Sequence, residues 1–68
     1  MHRGSVKWFN SRDRYGFIVP ESGDGDDIFV SENLLAKLGI ETLTQGRPVL
    51  FTAEPCPKGL RATGLVIL

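Results

Sequence analysis

Five short segments rich in β-branched and aromatic residues, each closed by Gly, Pro, Asp or Ser, divide the chain, and no crossover helix fits between them. The expected strands cover residues 5–10, 15–19, 27–30, 49–54 and 60–68. Short strands in close succession pair antiparallel, and a small sheet avoids exposed edges, which invite aggregation, by closing on itself. The fold expected is therefore all-β, a five-stranded antiparallel barrel.

The connections carry their own chemistry. Ser11-Arg12-Asp13-Arg14 and the stretch 20–25 are built from turn formers, and Pro20 stops the second strand by removing a ladder donor. Ser31 is placed to cap a short helical turn between strands three and four that runs through Leu38, with Gly39 as its left-handed terminator. Leu34, Leu35 and Leu38 are spaced for one apolar face of that helix. Thr44-Gln45-Gly46 makes another turn, Pro48 is tolerated at a strand start, and residues 55–59 read as a stiff loop. In the last strand Gly64 is the weak point, and Leu65 to Leu68 are more apolar than a free surface end usually is.

At 68 residues the chain is expected to form a single domain, residues 1–68, either alone or as one unit of a longer protein. A lone Cys56 cannot form an internal disulfide, and no Cys/His cluster has zinc spacing, so a reducing, cytoplasmic setting is expected. The longest apolar run, 65–68, is too short to span a bilayer, and the amino terminus lacks a signal-peptide stretch. Eight basic and eight acidic residues cancel, yet they are segregated. Residues 1–19 hold Arg3, Lys7, Arg12 and Arg14 against Asp13, whereas residues 20–32 hold Glu21, Asp24, Asp26, Asp27 and Glu32 with no base. With Lys58 and Arg61 near the end, a locally positive face is expected on a neutral molecule.

Five of the six aromatic residues fall in the first three strands. Alternation turns Ile18, Ile28 and Val30 inward and Tyr15, Phe17 and Phe29 outward together. Rings of that size are left outside a small protein for a reason, and unpaired bases covering them recover about 1–3 kcal/mol each. Trp8, flanked by Lys7, joins this surface; Phe9 and Phe51 read as core. Arg14 and Arg61 are candidate cations, while His2 reads as a solvated terminal residue and Cys56 as an unpaired thiol. No nucleophile–base pair exists beyond terminal His2, and Asp24, Asp26 and Asp27 lack the Glu that completes a calcium loop. No catalytic residue, metal site, cofactor or small-molecule substrate is expected.

Gly4-x-Val6-Lys7-Trp8-Phe9-Asn10, Tyr15-Gly16-Phe17-Ile18 and Asp27-Ile28-Phe29-Val30 resemble, in that order, the first-strand signature and the two ribonucleoprotein motifs of the cold-shock domain family. Looser agreement continues through Leu43-x-x-Gly46, Val49-x-Phe51 and Lys58-Gly59, so the resemblance runs nearly end to end. It implies an OB-fold barrel that binds single-stranded RNA or DNA with little sequence preference, as an RNA chaperone or a regulator of transcription or translation, without catalysis. Position by position, Trp8, Tyr15, Phe17 and Phe29 match the family's base-stacking rings. Lys7 and Lys58 match its basic contacts, Asn10 and Asp27 its polar positions at base edges, and Phe9 an aromatic on the flank.

The departures are specific. Ser31 and Glu32 stand where the family usually has His and Phe, Ile40 replaces a loop aromatic, and Asp13-Arg14 replace Lys-Gly. Two missing platforms and a carboxylate near phosphate imply a weakened or altered binder. A second reading is a degenerate barrel that serves a protein partner, a sister domain or a weak homodimer through its apolar end.

Overall fold

Val6, Ile18, Ile28, Val30, Val49, Phe51, Ala62 and Leu65 point into one interior, each less than a tenth exposed. Leu35 and Leu43 close it from a helix and a loop. The computed structural model describes residues 1–23 and 27–68. Its elements are β1 (His2–Asn10), β2 (Tyr15–Pro20), β3 (Ile28–Ser31), α1 (Glu32–Leu38), β4 (Pro48–Cys56) and β5 (Gly59–Ile67). They form a closed barrel in the order β1-β2-β3-β5-β4.

Four seams are antiparallel, as the short connections require. The closing seam is parallel, through Ile28↔Leu60 and Phe29↔Arg61. Five strands cannot alternate direction around a complete ring, so one seam had to be. The helix and loop between β3 and β4 supply the long connection that this seam needs.

Local chemistry sets the boundaries. β1 starts at His2 rather than at residue 5, because Gly4 is shared by two partners, Pro20 and Val49. A Cβ on Gly4 would lie 2.6 Å from the Val19 carbonyl oxygen, so this low-propensity residue is what the crossing admits. His2 is not simply solvated: its ring lies 5.7 Å from that of Phe51, centroid to centroid. β4 runs on through Pro55 and Cys56, residues expected in a loop, and the hairpin narrows to Pro57 and Lys58. Pairing of β1 with β4 ends at Phe51, so β4 has a free edge at Pro55 and the missing donor costs little there.

The helix is capped as expected. Ser31 Oγ accepts from the Leu34 N–H at 3.3 Å, and Gly39, at φ 75°, donates its N–H to Ala36. Of the three leucines expected on its apolar face, Leu35 is buried, Leu34 half-buried and Leu38 largely exposed. The last three residues of the chain are also partly exposed, while Leu65 packs inside. Asp24 and Asp26 lie outside the described residues. Among those described, no helix is long and apolar enough to cross a membrane.

Candidate nucleic-acid interface

Strict alternation along β1 would send Trp8 to the same side as Val6, into the barrel. It does not, because Lys7 is an extra residue. Val6 pairs with Ile18 but Trp8 pairs with Phe17, so β1 gains one residue against β2 at Lys7. The bulge resets the phase: Val6 faces in before it, Phe9 packs on the core after it, and Trp8 turns out. Regular pairing of β2 with β3 then puts Phe17 opposite Phe29 and Tyr15 opposite Ser31.

The four outward rings form one half-buried patch. Trp8 lies 5.3 Å from both Tyr15 and Phe17, edge to face in each case. Tyr15 stacks on Phe29 at 5.8 Å and an interplanar angle of 27°, and Phe17 meets Tyr15 and Phe29 edge-on at 6.0 and 5.9 Å. Such contacts hold each ring's orientation while leaving part of its face to solvent. Gly16 makes the arrangement possible from behind. A Cβ there would sit 2.4 Å from the Trp8 carbonyl oxygen, and without one β1 and β2 approach closely under the rings.

The charges are arranged differently from the expected positive face. The basic first stretch and the acidic second are zipped together across the meander, by Arg3–Glu21 at 3.0 Å, Lys7–Asp27 at 2.8 Å and Arg14–Glu32 at 3.3 Å. Lys7 and Asp27, both expected at the site, are thus each other's partners. Arg61 is held by Glu54, whose hydrogen bond and charge raise the guanidinium pKa further above its ordinary value. Arg12, Lys37, Arg47 and Lys58 have no ion-pair partner among the described residues. Lys58 sits at the β4–β5 hairpin tip, two residues before Leu60, which pairs with Ile28. It therefore lies beyond the Asp27 end of β3.

Asn10, also expected at base edges, is occupied otherwise. Its Oδ1 accepts from the backbone N–H of Arg12 at 2.9 Å and of Asp13 at 3.3 Å, and its Nδ2 donates to Asp13 at 3.0 Å. Both ends of the amide brace the β1–β2 turn. Phe9 packs on the core rather than on the flank of the patch.

Two of the departures from the family pattern meet each other. Arg14 stands in the left-handed region, at φ 65°, where a glycine rests more easily, and its carbonyl accepts from the Glu32 N–H at 3.0 Å. Its guanidinium reaches the Glu32 carboxylate. The acid that stands in place of a ring therefore has a counter-charge on the same rim.

Beside Phe29 a groove of about 430 Å³ runs between β3, α1 and β5, lined also by Ser31, Asn33, Lys37, Arg61 and Thr63. No local sequence pattern marks it. Two of its walls, β3 and α1, are consecutive in the chain, and the parallel seam brings the third, β5, beside them.

Residues 2–68 match the family model of the 'cold-shock' DNA-binding domain. The cold shock-like protein CspA of Shewanella violacea is 42% identical over 65 residues, spanning 96% of this chain and 91% of the relative. Cold shock protein CapA of Pseudomonas fragi is 44% identical over 59 residues, 87% of this chain and 91% of its own length. The cold shock-like protein CspD of Escherichia coli K12 is 42% identical over 66 residues, 97% and 88% respectively. Fold, motif placement and these similarities agree: the chain belongs to the cold-shock domain family.

Proposed function

We propose that this protein binds single-stranded RNA or DNA with low sequence specificity, laying bases on Trp8, Tyr15, Phe17 and Phe29. The observation that carries the reading is the contiguous patch of four half-buried rings on the outer face of three neighbouring strands. Every base has a π-face, so such a patch accepts any sequence. Phosphates remain in solvent, near Lys58 and near Lys7, for which they compete with Asp27. Holding bases unpaired lowers the free energy of melted RNA relative to hairpins by mass action, which is how an RNA chaperone works without ATP. An unpaired Cys56 accords with a reducing, cytoplasmic setting.

The test is a titration of Trp8 fluorescence with short homopolymeric oligonucleotides at two salt concentrations, on the wild type and on the Phe17→Ala/Phe29→Ala double variant. Neither phenylalanine belongs to the buried core, so the barrel is expected to stay folded by circular dichroism. Quenching that weakens with salt is expected for the wild type. Loss of two platforms at about 1–3 kcal/mol each lowers affinity at least thirtyfold, about 2 kcal/mol or more. Undiminished binding by the folded double variant would refute the stacking reading.

A further inference from the structure

We infer that the groove between β3, α1 and β5 seats a further stretch of the same single strand, beyond the last stacking ring, with Lys37 as its phosphate contact. The inference rests on the stacking reading and extends its path. Phe29 is a member of both surfaces: it stacks with Tyr15 in the patch and lines the groove.

The groove's chemistry suits a nucleotide rather than an apolar segment. Its volume, about 430 Å³, falls at the small end of ligand sites, which run from about 300 to 1,000 Å³. Ser31, Asn33 and Thr63 supply neutral donors and acceptors for sugar and base edges, and no carboxylate among the described residues lines it. Two of them have a limited commitment: Ser31 Oγ caps the helix and Thr63 Oγ1 shares one hydrogen bond with Thr52. Of the two cations, Arg61 is engaged by Glu54, whereas Lys37, in the last turn of α1, has no partner among the described residues. Around the rings Lys7 and Arg14 are each paired with a carboxylate, so Lys37 gives this end an uncompensated positive charge of its own.

In a chain with Ser31 and Glu32 in place of two rings, the groove would lengthen the site beyond the rings. What the strand loses in stacking it regains as polar and phosphate contact one step further on.

Two oligonucleotides separate the groove from the patch: one of about four nucleotides, long enough for the rings alone, and one of about eight. Trp8 quenching reads both. Lys37→Gln is expected to leave the short one within twofold of wild type and to weaken the long one about threefold to tenfold, its salt slope falling by about 0.7. Asn33→Asp, which puts a carboxylate on an exposed helical position, is expected to weaken the long one alone. Equal effects on both lengths, or none on either, overturn the inference while the stacking reading stands. Failure of the wild type to bind either oligonucleotide overturns both.

Discussion

Replacing Gly16 by Ala adds one methyl group at the point where β1 and β2 come closest. The new Cβ would lie 2.4 Å from the Trp8 carbonyl oxygen, 2.7 Å from Phe9 Cδ2 and 2.8 Å from Phe9 Cα. Ordinary contact begins near 3.4 Å, so a backbone oxygen must retreat by about 1 Å, and no flexible side chain can absorb the strain. Overpacking of this kind costs about 1–3 kcal/mol, and a backbone clash belongs at the upper end. Against it stands about 0.4–1 kcal/mol from the stiffer unfolded chain, which leaves about 2 kcal/mol of destabilisation. For 68 residues the unfolding entropy is about 0.14 kcal/mol/K, so the midpoint should fall by about 14 °C. Thermal unfolding followed by far-ultraviolet circular dichroism measures this directly. Below the new midpoint, single-strand affinity should also fall, because the displaced carbonyl belongs to Trp8. A midpoint within about 3 °C of wild type would mean that the two strands do not meet as closely as described, and the account of the patch's support would be wrong.

Glu32→Phe should raise affinity for single strands about fivefold or more, since it removes a charge that only Arg14 offsets and adds a platform worth about 1–3 kcal/mol; unchanged quenching titrations would place residue 32 off the strand's path. Ser31→Ala removes the oxygen that caps α1 and should cost about 1 kcal/mol, a fall of about 7 °C in the same melting experiment, with the short oligonucleotide still bound.

The sequence made the barrel and most of the patch legible for a particular reason. β2 and β3 are regular, so counting by twos separates Ile18, Ile28 and Val30 from Phe17 and Phe29 without any knowledge of pairing. The same counting fails on β1. Val6 and Trp8 share parity, and nothing in the residue types announces that Lys7 is supernumerary; only the company of Trp8, not its position, points it outward. Charge behaved similarly. Segregation along the chain was plain, but cross-strand register decides whether Arg3, Lys7 and Arg14 are free cations or partners of Glu21, Asp27 and Glu32. The β4–β5 hairpin misled for a different reason. Two prolines read as a loop, although Pro55 lies on an edge that needs no donor. The groove beside Phe29 was beyond reach altogether, because no local pattern links Lys37 to Thr63.

The supernumerary Lys7 also governs how the first strand can change over generations. Substituting it alters one charge and leaves every neighbour where it was. Deleting it removes the bulge and keeps the phase: Trp8 would follow Val6 directly, still pair with Phe17 and still turn out, with Phe9 still turned to the core. The strand therefore tolerates both drift and loss at this one position without withdrawing its tryptophan from the outer face.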